Sequence, residues 1–271
     1  MTKVSERLKR LSESATLAMA RMSRELKEKG YNVIPLSLGE PDFDTPDFIK
    51  VAAKKAIDDN FSHYTPVPGL PELRTAISNK FKRDNNLYYS ADQIVVSTGA
   101  KQSLANVCLS LLNPGDEVLL PTPYWVSYAD IVTLSEGVSV KIESKIENDF
   151  KITGAQLESK ITDKTKLLMF SSPCNPSGTV YTKKELTDIA EMLEKYPNIY
   201  IIADEIYEHI NFTEEHFSIG SIPSIKERVI TVNGVSKGFA MTGWRIGFIG
   251  APLWIAKACT KIQGQVTSAT C

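Results

Sequence analysis

Val229-Ile230-Thr231-Val232-Asn233-Gly234, continuing as Val235-Ser236-Lys237-Gly238-Phe239-Ala240-Met241-Thr242-Gly243-Trp244-Arg245, is the stretch on which the reading of this chain turns. The apolar run Val229 to Val232 predicts a buried strand that ends at Asn233-Gly234. Just past that end a lysine stands among hydroxyls and glycines, with an arginine eight residues on. Such a segment is poorly suited to plain core packing. It suits a lysine that forms an imine while a nearby serine and arginine hold a phosphate.

Working outward, strands and helices alternate from Gln93 onward. Candidate strands are Ile94 to Ser97, Glu117 to Pro121, Val138 to Ile142, Lys166 to Ser171, Tyr200 to Ala203, Val229 to Val232 and Ile246 to Gly250. Helices fit between them at about 101–112, 125–135, 183–195 and 252–263. Runs such as Leu167-Leu168-Met169-Phe170 are apolar without alternation, as expected of strands covered on both faces. The fold class is therefore α/β with a mostly parallel sheet, whose ligands sit beyond the carboxyl ends of the strands. Upstream, Val4, Leu8, Leu11, Ala15, Ala18, Met22 and Leu26 recur at helical spacing and predict one helix closed by Lys29-Gly30. A short strand, Val33 to Leu38, and the turn-rich Gly39 to Pro46 follow. Two more helices are expected at 46–60, capped near Thr45 or Asp47, and at 72–85, separated by a rigid proline-rich loop, His63 to Pro71.

The 271 residues, 42% of them hydrophobic, can bury a large core. Lys plus Arg number 31 against 32 Asp plus Glu, so no nucleic-acid surface or polybasic membrane patch is expected. Apolar runs are too short for a membrane span, and the N-terminus lacks the apolar core of a signal peptide. Cys108, Cys174, Cys259 and Cys271 are scattered without a C-x-x-C pair. That pattern favours reduced thiols in a cytoplasmic protein over a disulfide framework or a zinc site, and no metal is expected. The absence of a G-x-G-x-x-G after the first strand argues against a dinucleotide-binding fold.

Four further segments fall at strand ends. Val95-Val96-Ser97-Thr98-Gly99-Ala100-Lys101-Gln102 reads as strand, glycine turn and helix start, which offers backbone N–H groups and a positive dipole to a phosphate. Ala203-Asp204-Glu205-Ile206-Tyr207 puts a carboxylate after a buried strand, where a helix cap is the plain alternative. Ser171-Ser172-Pro173-Cys174-Asn175-Pro176-Ser177-Gly178 would form a turn in any protein, and its Asn175–Pro176 bond is a candidate cis peptide. Pro121-Thr122-Pro123-Tyr124-Trp125 places an aromatic after a proline-rich turn.

The S-K-x-x-x-M-T-G-W-R run from Ser236 to Arg245 resembles the pyridoxal-phosphate lysine segment of class I aminotransferases of fold type I, of the aspartate aminotransferase kind. The resemblance covers essentially the whole chain. It implies a mostly parallel seven-stranded sheet with helices on both faces plus part of a small domain. Residues 1–45 would form the N-terminal helix and small-domain segment, and residues 46–271 the large cofactor-binding domain. It implies that Lys237 carries pyridoxal 5′-phosphate. Gly99, Ala100, Lys101, Ser236 and Arg245 would form the phosphate cup, with Tyr64 reaching in from a neighbouring subunit of a homodimer. Asp204 would pair with the ring nitrogen, Tyr207 and Asn175 with the 3-oxygen, and Trp125 would stack on the ring. Asn175, Trp125 and the backbone of Gly39 would also meet the substrate, and Lys101 its distal carboxylate. Glu205 is read as structural. The implied reaction is ping-pong transamination, with L-aspartate and 2-oxoglutarate as first choice and prephenate or another amino donor of the same branch as the alternative. The freed Lys237 amine would move the proton, which asks for a pKa below the ~10.4 of free lysine. Family members run on well beyond residue 271, and no arginine follows Arg245 to bind the substrate α-carboxylate. The chain is therefore expected to be a fragment of a longer parent, with a non-catalytic cofactor-binding piece as the alternative.

Overall fold

The apolar runs do assemble into one sheet, because strands without a polar face must be covered on both sides. The computed structural model describes residues 3–36, 38–212 and 215–270. In chain order the helices are α1 (Glu6–Lys9), α2 (Ala15–Glu28), α3 (Asp47–Asp58), α4 (Pro71–Asn85), α5 (Ala100–Leu111), α6 (Ser127–Leu134), α7 (Gly154–Glu158), α8 (Lys183–Leu193) and α9 (Leu253–Val266). The strands are β1 (Ile94–Ser97), β2 (Glu117–Pro121), β3 (Val138–Ile142), β4 (Thr165–Ser171), β5 (Tyr200–Asp204), β6 (Val229–Gly234) and β7 (Gly247–Gly250). They form a seven-stranded sheet in the order β1-β7-β6-β5-β4-β2-β3. β7 runs antiparallel to both of its neighbours, and the remaining pairs are parallel.

One core packs α5, α6 and α9 against the sheet through Leu104, Val107, Ile131, Ile255 and Cys259. On the other face α7 and α8 contribute Leu157, Leu186, Ile189 and Leu193. A smaller cluster, Ile77, Phe81, Leu87, Val96 and Phe248, joins α4 to the β1–β7 edge. Helices thus cover both faces, as expected. The carboxyl ends of β4, β5 and β6 open on the same rim, and the connections after them carry the polar motifs.

The N-terminal region departs from expectation in three ways. The single helix is two, α1 and α2, broken over 10–14. Ser12 Oγ donates to Asp130 Oδ1 at 3.0 Å, and Ser14 takes the N-cap position of α2. Serine side chains that bond elsewhere disfavour a helix interior. The end is as expected: Gly30 adopts φ +89° and Tyr31 N–H donates to Leu26 C=O at 3.1 Å. Residues 33–36 and Leu38 belong to no strand, and Ser37 lies outside the described residues. Ile34 and Leu36 are exposed at 78% and 89%, so their alternation meets no ladder partner. Finally, although the cap of α3 falls at Pro46, between Thr45 and Asp47 as expected, no side chain caps it, and Thr45 Oγ1 donates instead to Ala240 C=O at 2.6 Å. α7, with Thr153 and Gln156 forming its capping box, was not anticipated. Its few residues carry too little periodicity to read.

Candidate active site

A cleft of about 830 Å³ opens beyond the carboxyl ends of β4, β5 and β6. Lys237, Asp204, Tyr207, Asn175, Trp125, Lys101, Ala100, Ser236, Arg245 and Gly39 all line it. Gly99 sits directly behind: its φ of +84° is the left-handed backbone that begins α5, and a Cβ there would come within 2.2 Å of Arg245 Nη2. Tyr64 is the one anticipated residue that the fold does not bring to this cleft. Its side chain is fully exposed.

The floor is built by β5. Asp204 ends that strand, is 4% exposed, and accepts a 2.7 Å hydrogen bond from Tyr128 Oη and a 3.3 Å bond from Ile206 N–H. Burial pushes its carboxyl up to about 6, and Glu205 adds to the rise while the two hydrogen bonds hold it back. Three residues on, Tyr207 Oη accepts a 3.1 Å bond from Asn175 Nδ2, so the β4 and β5 turns meet across the cleft. The Asn175–Pro176 bond is cis, as the sequence suggested.

Lys237 reaches in from the segment after β6. Its Nζ lies 5.6 Å from the centre of the Tyr207 ring and donates to the Gly39 carbonyl. Burial pushes this amine below its ordinary value; Glu40 opposes the shift and Arg245 reinforces it. The backbone of Gly39 therefore does face the site, although open space surrounds the position of its missing Cβ. Arg245 is held at φ +58°, ψ +54°, a left-handed conformation that costs a non-glycine residue about 1 kcal/mol. Its Nη1 donates to Thr242 C=O at 2.8 Å. Arg245 thus stands against the start of α5 at Gly99, and Ser236 and Ala100 line the same cleft. There they offer a hydroxyl, a guanidinium and free backbone N–H groups to an anion.

An adjoining wall is aromatic. Trp125 meets Tyr128 edge to face at 5.6 Å, and Lys101 Nζ stands 4.8 Å above the Trp125 ring. Burial, with Arg245 second, lowers the Lys101 amine. Sequence reasoning missed Tyr128. Its signal was the three-residue step from Trp125, which puts both on one side of a helical turn, and the rule that a buried phenol finds a partner. Glu40, whose Oε1 accepts from Thr242 Oγ1 at 2.8 Å, and Ser14 and Thr16 of the α2 start also line the cleft unannounced.

A sequence model of the family described as aminotransferase class I and II matches residues 31–271. A probable aspartate/prephenate aminotransferase of Rickettsia typhi is 51% identical over the whole of this chain and 68% of its own length. The aspartate/prephenate aminotransferase of Cereibacter sphaeroides is 46% identical over the same shares. Among solved structures, the aspartate aminotransferase of Thermus thermophilus with maleate superposes with a TM-score of 0.96 at 40% identity, covering all of this chain and 70% of that one.

The fold is that of a pyridoxal-phosphate-dependent transferase of fold type I, an enzyme that exchanges amino groups between amino acids and 2-oxo acids. The chain belongs to the aminotransferase class I and II family. Its residues fit pyridoxal 5′-phosphate: a buried carboxylate raised to about 6 calls for a cationic partner, and an anion cup and a lysine of lowered pKa stand in the same cleft. The described cysteines, Cys108, Cys174 and Cys259, are free thiols; Cys271 lies outside the described residues. Among the described residues no helix is long and apolar enough to cross a membrane.

Proposed function

We propose that the site transaminates L-aspartate with 2-oxoglutarate, in two half-reactions that share one cofactor. Bound pyridoxal 5′-phosphate supplies the electron sink for the substrate α-carbon. Lys237 would anchor that group and, once a substrate amine has displaced it, its neutral amine would stand ready to take up and hand back the substrate α-proton; its lowered pKa supports both tasks. Asp204, held by Tyr128, would pair with the ring nitrogen and favour its protonated form. Asn175 and Tyr207, bonded to each other, would hold the 3-oxygen as a pair, and Trp125 would offer an aromatic face to the ring. Ser236, Arg245, Gly99 and Ala100 hold the phosphate, with Tyr64 donated by the second subunit of a homodimer. The exposure of Tyr64 on this chain supports that sharing. Gly39 meets the substrate carboxylate.

The observation that carries the choice of substrate is Lys101, a cation at the cleft wall over Trp125, placed to meet a second carboxylate. Maleate, bound to the similar Thermus enzyme, is itself a four-carbon dicarboxylate. Prephenate is the second reading, favoured by the names of the Rickettsia and Cereibacter relatives. Residues 1–45 act as a separate small-domain segment beside the large domain 46–271, in keeping with the burial of Ala20 alone in α1 and α2. The unpaired thiols support a cytoplasmic setting.

The test is the absorption spectrum of the purified chain with added pyridoxal phosphate, repeated with Lys237→Ala. A Lys237-dependent band that shifts on adding L-aspartate, and less on adding L-alanine, is the expected outcome. A band unmoved by any amino acid would leave a cofactor-binding piece, and no Lys237-dependent band would remove the proposed site altogether.

A further inference from the structure

Directly behind the cleft floor lies a buried polar network that the reaction does not use. Asp204 and Tyr207 face the cleft, and the alternate residues Glu205 and Glu208 point away from it, each three apart. Both glutamates are buried, at 2% and 8% exposure. Asn85, the last residue of α4 and itself 6% exposed, donates from Nδ2 to Glu208 Oε2 at 2.6 Å and to Glu205 Oε2 at 3.3 Å. Its Oδ1 accepts from Lys80 Nζ at 2.6 Å, and the same ammonium pairs with Glu208. Ser218 Oγ donates to Glu205 Oε2 at 2.6 Å, and His216 Nε2 lies 3.1 Å from that same oxygen. Backbone bonds complete the turn: Glu205 N–H donates to Val232 C=O at 2.9 Å and Glu208 N–H to Glu205 C=O at 3.0 Å.

Glu205, Glu208 and His216 come close enough together to suggest a metal site. The lone pairs that a cation would need are already taken by an ammonium, an amide and a hydroxyl. Apart from His216 Nδ1, which is buried without a partner, the cluster is a bonded network, and its value lies in what it immobilises. One side-chain amide, fixed by its own bond to Lys80, holds both ends of the turn that presents Asp204 and Tyr207. The network also reaches the lysine segment. His209, 3.2 Å from Glu208, packs on Gly238, where a Cβ would come within 2.8 Å of the imidazole ring.

We propose that Asn85 is a positioning residue for the cofactor site. Through Glu205 and Glu208 it locks the turn so that the Asp204 carboxylate and the Tyr207 hydroxyl are held at fixed places before the ring arrives. A site whose supporting side chains are locked avoids the cost of ordering them on binding. The inference rests on the reading of the cleft as the pyridoxal-phosphate site.

The experiment titrates pyridoxal phosphate into the purified chain and into Asn85→Ala, Ser218→Ala and Leu157→Ala, reading the Lys237-dependent band and its pH midpoint. Leu157 is buried in the core beneath α8, away from the cleft, and gives a destabilised control. Asn85→Ala is expected to bind roughly tenfold more weakly, the scale of one lost buried hydrogen bond, and to shift the pH midpoint of the band. Ser218→Ala, a smaller lesion of the same network, should move both readings in the same direction by less. Leu157→Ala should lower the melting temperature and move neither. If Asn85→Ala and Ser218→Ala melt earlier yet bind and titrate like the parent, the network is structural only and the inference fails. Failure of the parent chain itself to form a Lys237-dependent band would instead count against the proposed function. Should Asn85→Ala not fold, the Ser218→Ala comparison decides alone.

Discussion

At the scale of single residues, burial makes the ionisation of Asp204 costly in the cofactor-free chain. An unfolded aspartate titrates near ~4, whereas burial in the fold pushes this carboxyl up to about 6. Between those values the folded chain holds a proton that the unfolded chain has released. The stability contributed by this group is therefore present below about pH 4 and is lost as pH rises through about 6. Ionising the carboxyl costs the cofactor-free chain on the order of 2–3 kcal/mol at neutral pH, a cost that a cationic ring nitrogen would offset. Asp204→Asn removes the titration while keeping an oxygen to accept from Tyr128. In urea unfolding of the cofactor-free proteins, the variant should gain on wild type by about 2 kcal/mol more at pH 7.5 than at pH 4.5, where part of the loss has already occurred. An equal difference at both pH values would mean that Asp204 is solvated and not raised. The same variant should bind pyridoxal phosphate more weakly at every pH.

At the scale of elements, the site depends on how closely β7 approaches the start of α5. A Cβ on Gly247 would lie 2.1 Å from Ala100 N and 2.3 Å from Gly99 C, both rigid backbone atoms. Gly247→Ala must push the α5 N-terminus out of register with Arg245 and Ser236. We expect a loss of about 3 kcal/mol or more, read as a lower urea midpoint, and a loss of affinity for inorganic phosphate as well as for the cofactor. A variant as stable as the parent would show that the junction yields easily. This junction also marks how far the sequence could be read. β1 to β7 were legible almost to the residue because apolar runs bounded by turn residues leave few alternatives. The residues at their ends were legible from spacing and from family motif. The break between α1 and α2 was not, since it depends on Ser12 finding Asp130, 118 positions away. Tyr128 and Asn85 were hidden for the same reason: their partners lie 76 and 120 positions distant. Spacing within one element shows what a side chain faces, but not what the fold brings to meet it.

At the scale of the whole molecule, one anticipated ligand stands apart from the rest. Tyr64 projects fully into solvent on the loop before α4, while every other proposed phosphate contact gathers in the cleft or directly behind it. Phe48, Val51, Ile57 and Phe61, in and just after α3, are also more than half exposed, a concentration of apolar surface near that loop in sequence. A two-fold dimer sharing its sites would place Tyr64 of each subunit in the other's cup. Mixing two damaged chains tests this directly. Tyr64→Phe should weaken cofactor binding by roughly tenfold or more, because it removes a hydrogen bond to a charged group. Lys237→Ala forms no Lys237-dependent band at all. If sites are shared, a mixed dimer pairs the intact Lys237 of one chain with the intact Tyr64 of the other. Random exchange of equal amounts then restores full affinity to about half of the Lys237 sites. If each chain supplies its own Tyr64, the mixture titrates as the sum of its two components, and the weak phase remains whole.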